Sequence, residues 1–138
     1  MSKENYSVVG VMSGTSLDGI DLAHLIFSIE NGKWSFEIHE CETIAYPLEW
    51  LNKLKIAVGF SEPALKILNE KYTQYLGEII KAFMAKYSIT NLDAVCSHGH
   101  TILHQPQNGF TLQIGNLPEI AKIIGKKVVC DFRVQDVQ

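Results

Sequence analysis

The chain has 138 residues, 46% of them hydrophobic and 20% charged, and a formal net charge of -3. That is one domain of ordinary globular composition, large enough to bury its own core. The acidic balance excludes the basic footprint of a nucleic-acid binder. No apolar run approaches the roughly 20 residues a membrane-spanning helix needs.

The polar opening M-S-K-E-N-Y lacks the form of a signal peptide, so a cytoplasmic protein is expected. Three cysteines, Cys41, Cys96 and Cys130, are odd in number and show no C-x-x-C spacing. They point away from a disulfide framework or a structural zinc site and toward reduced thiols. Cys96 and Cys130 lie in apolar runs and are expected as small buried hydrophobes.

Residues 6–12 are mostly apolar and predict a central strand, and 20–28 predict a second strand antiparallel to it. Asn31-Gly32 tolerates positive φ at both positions and marks a two-residue hairpin. Beyond it Trp34, Phe36 and Ile38 alternate with Ser35, Glu37 and His39. That period of two predicts a third strand with one face buried and one wet.

Two helices follow. The first is amphipathic over 49–58, just past Pro47. The second opens at Ser61-Glu62-Pro63, a hydroxyl cap followed by an acid and an early proline, and runs to about Lys86. Its stripe of Leu65, Leu68, Tyr72, Tyr75, Leu76, Ile79, Ile80, Phe83 and Met84 recurs at helical spacing and is expected to pack on the sheet.

A buried fourth strand, parallel to the first, is predicted over 92–97, and a short fifth over 110–114. Asn116 is expected to cap a helix over 118–124 that ends at Gly125, and 127–131 reads as the last strand. A meander, then helices, then strands joined by crossovers gives a mixed α/β fold of the ribonuclease-H-like kind.

Three segments carry chemistry. Residues 10–21 read G-V-M-S-G-T-S-L-D-G-I-D, a turn of small residues, hydroxyls and two acids between two strands. Such a turn can hold a phosphate through closely approaching backbone amides. No Gly-Lys-Ser/Thr follows, so it is not a Walker A loop; Asp18 or Asp21 can meet Mg²⁺ directly or through water. Asp21 can equally be a solvent-facing acid at a sheet edge.

Ser97-His98-Gly99-His100-Thr101 follows the fourth strand, and Asp131-Phe132-Arg133 the last. In an open α/β sheet, ligands gather at the carboxyl ends of parallel strands, where these segments converge. In regular strand geometry His98 and His100 share a face, which with His104 admits a zinc reading and a metal-dependent hydrolase.

Together these segments resemble the anhydro-N-acetylmuramic acid kinases, sugar kinases of the hexokinase/Hsp70/actin superfamily. G-V-M-S-G-T-S-L-D-G-I-D, S-H-G-H-T-I-L-H-Q-P, F-T-L-Q-I-G-N and V-V-C-D-F-R-V-Q-D stand in the family's order and spacing over nearly the whole chain. The resemblance implies an actin/hexokinase-type mixed sheet. It also implies use of ATP and Mg²⁺ on 1,6-anhydro-N-acetylmuramic acid, opening the anhydro ring with water and phosphorylating O6.

By the same resemblance the nucleotide loop is Gly14, Thr15, Ser16, Leu17, Asp18, Gly19, Ile20 and Asp21, with Asp18 toward the metal. The sugar side is His98, Thr101, Gln113, Asp131 and Arg133. His100 departs from the S-H-G-Q-T that many members carry. The family continues past this point with a G-G-Q-G-A-P-L segment and a second lobe that holds the catalytic base. The chain is therefore expected to be the N-terminal lobe, inactive alone, of a parent enzyme that can be a homodimer. A non-catalytic sugar- or nucleotide-binding module is the rival expectation.

Overall fold

A computed structural model describes residues 4–13, 17, 19–105 and 110–130 of the chain. It is a mixed α/β domain built on a six-stranded sheet in the order β3-β2-β1-β4-β5, with β6 paired to β4. The strands are β1 (Asn5–Ser13), β2 (Ile20–Glu30), β3 (Lys33–Ile44), β4 (Ala94–Gln105), β5 (Phe110–Ile114) and β6 (Val128–Val129). The helices are α1 (Leu48–Ile56), followed by a 3₁₀ turn, α2 (Glu62–Lys86) and α3 (Glu119–Ile124).

β1, β2 and β3 form the expected antiparallel meander, with Asn31 and Gly32 at φ 52° and 76° in the hairpin. β1 then pairs with β4 in parallel, and β4 with β6 in parallel. An antiparallel meander running into parallel strands is compatible with an actin/hexokinase-like fold. Among the described residues no helix is long and apolar enough to cross a membrane.

The core lies between one face of the sheet and α2. Val9, Val11, Ile20, Leu22 and Val95 from the strands meet Leu68, Tyr72, Leu76, Ile80 and Phe83 from the helix. Those helical positions are the predicted stripe, and each fully buried large side chain contributes roughly 1.5–3 kcal/mol. Ser61 caps α2 by accepting from the Ala64 amide at 3.4 Å. Reciprocal bonds tie the start of β4 to β1. The Ser7 amide donates to Asp93 Oδ2, and the Asp93 amide to the Ser7 carbonyl, both at 2.8 Å. His24 braces the meander, 2.8 Å from Ser7 Oγ and 3.1 Å from Glu40 Oε2.

Several expectations need correction. The alternation in β3 sorts its faces, but Trp34, Phe36 and Ile38 are 64%, 60% and 57% exposed rather than buried. β3 is an edge strand and these residues lie on the sheet face away from α2. There Phe36 meets Phe27 and Trp34 meets Tyr6, at ring separations of 6.1 and 5.9 Å. β4 is longer than predicted and takes in 97–105 as strand, because β1 and then β5 supply ladder partners along its length. Cys96 and Cys130 are half-buried and Cys41 is exposed. Asn116 does not cap α3; Pro118 stands at that position without a side-chain bond, while Gly125 ends the helix in the left-handed region as expected.

Candidate functional site

β1 and β4 are parallel, and the end of β1 lies beside Ser97–His100 of β4, which brings the first two chemical segments together. Their register runs Val8↔Ala94 to Val11↔Ser97 and then jumps to Ser13↔His100. The extra residue is a bulge in β4 around Gly99, whose φ of +72° suits glycine. A Cβ there would meet the Ile114 carbonyl and Asn116 Oδ1.

This bulge breaks the simple alternation. His98 lines the open sheet face with Gly10, Met12, Asp21, Ala23, Cys41 and Thr43. His100 faces the other way and bonds to Ser13 under the helices. The shared-face premise of an H-x-H zinc pair therefore fails, and among the described residues no three His, Cys, Asp or Glu side chains cluster to hold a metal.

The open-face cavity measures about 670 Å³ and sets His98 of β4 and Asp21 of β2 on opposite sides of β1. His98 is buried, with Nδ1 3.3 Å from the Gly99 carbonyl. Asp21 is exposed at the start of β2, opposite Met12, and accepts from the Thr43 hydroxyl through Oδ1 at 2.5 Å. Asp21 faces solvent, as one of its two readings expected, and it borders the cavity.

Within the β1–β2 turn, Leu17 and Gly19 are described. Leu17 adopts φ 60° and packs against the core. Gly19 adopts φ 142°, and a Cβ on it would run into the Ile44 carbonyl and lie 3.1 Å from Ala45 Cα. The Ile20 side chain is fully buried, so Leu17 and Ile20 anchor the turn to the core. Gly14, Thr15, Ser16 and Asp18 lie outside the described residues, as do Asp131 and Arg133. The described chain closes at Cys130, whose thiol is 3.9 Å from the Asn116 carbonyl, just after β6 pairs with Val95 and Cys96.

Thr101 and Gln113 are brought together as direct partners across β4 and β5. Thr101 is buried, and among the described residues its Oγ1 has no hydrogen-bond partner; Ser97 Oγ and Asn116 Oδ1 are in the same state. A buried polar atom without a partner costs on the order of 1–3 kcal/mol. Three of them beside one strand end mark a place where the chain is not optimised for stability alone. Asn116 was not singled out from sequence for this role; its amide reaches the His98 carbonyl at 3.4 Å across the bulge.

At the end of β1 lies a second feature that sequence reasoning missed. Tyr72 and Tyr46 hydroxyls are 2.5 Å apart, Tyr46 and Ser13 hydroxyls 2.5 Å, and Ser13 Oγ lies 2.9 Å from His100 Nδ1. His100 is 2% exposed and also lines a cavity of about 230 Å³ with Leu17, Leu54, Lys55 and Thr101. Burial, with the neighbouring His98, pushes its pKa down from 6.5 to about 4, so the ring is neutral at neutral pH. Burial raises the Tyr46 pKa and holds that of Tyr72 well above its ordinary value. Only the position of Ser13 within the first motif hinted at this, since Tyr46 belongs to no periodic element and Tyr72 reads as core.

The family model described as anhydro-N-acetylmuramic acid kinase matches residues 6–138. Similar curated proteins carry that name. One from Pseudomonas putida is 37% identical over 94% of this chain and 36% of its own length. One from Acaryochloris marina is 34% identical over 94% of the chain and 36% of its length. One from Rhizobium etli is 32% identical over 95% and 38%. The chain thus spans little more than a third of the curated relatives it matches.

Proposed function

The chain belongs to the anhydro-N-acetylmuramic acid kinase family, and from that membership we propose that it is the N-terminal lobe of a cytoplasmic kinase for 1,6-anhydro-N-acetylmuramic acid. The overall reaction consumes the anhydro sugar, ATP and water and yields N-acetylmuramic acid 6-phosphate and ADP. Water adds at the opened acetal carbon, O6 becomes the phosphate ester, and the γ-phosphoryl leaves ADP. The product suits the recycling of cell-wall sugars.

The observation that carries this reading is the placement of Asp21 and His98 on one cavity, on either side of the end of β1. Nucleotide phosphates are assigned to the turn 14–21, with Asp18 toward the metal. When bound, Mg²⁺-ATP supplies the phosphoryl group and offsets its charge. Asp21, exposed and engaged through one oxygen, fits a hydrated cation nearby.

The sugar side is assigned to His98, Thr101 and Gln113, joined by Asp131 and Arg133 just beyond β6. A ring with several hydroxyls needs both donors and acceptors, and Thr101 Oγ1 has no partner among the described residues. No catalytic base is assigned within this chain; it is expected in a second lobe, and the chain alone is expected not to turn over.

The test is an amide NMR titration of the chain. Mg²⁺-ATP is expected to shift resonances of 14–21, and 1,6-anhydro-N-acetylmuramic acid those of 98–101, 113 and 131–133. A dispersed spectrum that ignores both ligands would refute a half-site in this lobe.

A further inference from the structure

The meander carries a second group of reactive side chains, toward the end of the sheet where β1 begins. The β2–β3 ladder pairs Ala23 with Cys41 and Leu25 with Ile38, so one residue of β2, His24, faces two of β3, His39 and Glu40. Such a bulge re-aims side chains out of the plain alternation. Glu40 Oε2 comes to lie 3.1 Å from His24 Nδ1, and the His39 ring 5.5 Å from that of His24. On the far side of His24, Ser7 Oγ of β1 lies 2.8 Å from Nε2.

The acid end of this row fixes where its protons sit. A carboxylate only accepts, so the ring nitrogen beside it, Nδ1, carries a proton. In the neutral ring Nε2 is then bare, and it accepts the Ser7 hydroxyl. A serine bonded to a bare imidazole nitrogen, with the imidazole held from behind by a third group, is the arrangement that activates a nucleophile. Three adjacent strands supply one residue each, and the ladders between them hold the three in place. A brace alone would need a donor and an acceptor; it would not need the order hydroxyl, imidazole, carboxylate. Ser7 is half-buried, and the His24 and Glu40 side chains are 13% and 35% exposed, which leaves the row open to a small reagent.

We propose that Ser7 is a nucleophile for activated acyl donors, with His24 as its general base and Glu40 as the positioning residue behind it. Ser7 Oγ attacks the acyl carbon and the bond to the leaving group breaks. The hydroxyl proton passes to His24 Nε2 and on to the leaving group. Glu40 keeps Nδ1–H in place and offsets the charge the ring gains. The Ser7 amide is spent on Asp93 Oδ2 at 2.8 Å and gives nothing to an oxyanion. A missing oxyanion donor costs about 10²–10³ in rate. The reaction expected is therefore a single acylation by donors with good leaving groups, not turnover. None of the three residues lines the cavity of Asp21 and His98, and their chemistry does not depend on the kinase reading.

The test is p-nitrophenyl acetate on the whole chain, with acetylated positions read by peptide mass spectrometry. Ser7 is expected to be acetylated about 100-fold faster than Ser28 and Ser35 of the same meander. His24→Ala is expected to abolish that excess. Glu40→Gln offers an amide donor to Nδ1, so the ring proton is expected to move to Nε2. A long-range proton–nitrogen correlation spectrum reads that move, and the Ser7 rate is expected to fall about 10-fold or more with it.

Ser7 labelled no faster than Ser28 and Ser35, or at an unchanged rate in folded His24→Ala, overturns the proposal. Should His24→Ala fail to fold, the wild-type excess and Glu40→Gln still decide the matter. A wild-type rate in Glu40→Gln, or a wild-type ring with no proton on Nδ1, overturns it equally.

Discussion

Acidification should weaken this fold through His100 specifically. Its pKa falls from 6.5 to about 4 because burial, aided by the neighbouring His98, disfavours the charged ring. The folded state therefore resists a proton that the unfolded chain accepts readily. The stabilisation is fully present above the unfolded value and drains away as pH falls from 6.5 toward about 4. The gap between those two values corresponds to about 3 kcal/mol. That is a large fraction of the roughly 5–15 kcal/mol that holds a domain together.

The assay is urea unfolding followed by circular dichroism across that pH range, for wild type and His100→Gln. Other groups titrate there too, including Glu42, whose pKa the Lys86 and Tyr87 hydrogen bonds hold low. They are common to both proteins and cancel in the difference. Wild type is expected to lose about 3 kcal/mol more than the variant between its plateau and the acid limit. Parallel stability curves would refute the argument, because they would mean that His100 is not held neutral by its surroundings.

Gly99→Ala should cost roughly 2–5 kcal/mol, combining a left-handed alanine with backbone overpacking against the Ile114 carbonyl. Urea unfolding measures it, and a loss below about 1 kcal/mol would show that the bulge relaxes freely. Gly77→Ala in α2 sets about 1 kcal/mol of gained helix propensity against overpacking of roughly 1–3 kcal/mol. Its Cβ would lie 2.6 Å from Ile123 Cγ2. Net destabilisation is expected, with Ile123→Ala in the same chain relieving it; a stabilised single variant would show that α3 gives way.

Much of the fold was legible because its signals are local. The Asn31-Gly32 hairpin, the Ser61 cap and the apolar stripe of α2 each depend on residues within a few positions of one another, and each stands where the spacing put it. The 110–114 strand and the Gly125 helix end were likewise readable. The edge-strand residues Trp34, Phe36 and Ile38 were misplaced for the opposite reason. Period two separates two faces of a strand but does not say which face a helix will cover.

The site divides along the same line. Sequence alone determined which segments carry chemistry: the Gly10–Asp21 turn, the two histidines around Gly99, and a family resemblance resting on motifs in order. Only the tertiary structure decided that His98 and His100 point to opposite sides of the sheet. One extra residue at a glycine bulge shifts the β1–β4 register and reverses an alternation, and a side chain there would run into the Ile114 carbonyl and Asn116. Tertiary packing also joined Tyr72, Tyr46, Ser13 and His100, four polar groups from four separate segments. Burial made them one hydrogen-bonded cluster: away from water each polar group must be satisfied by a neighbour, and which neighbours meet is a property of the fold.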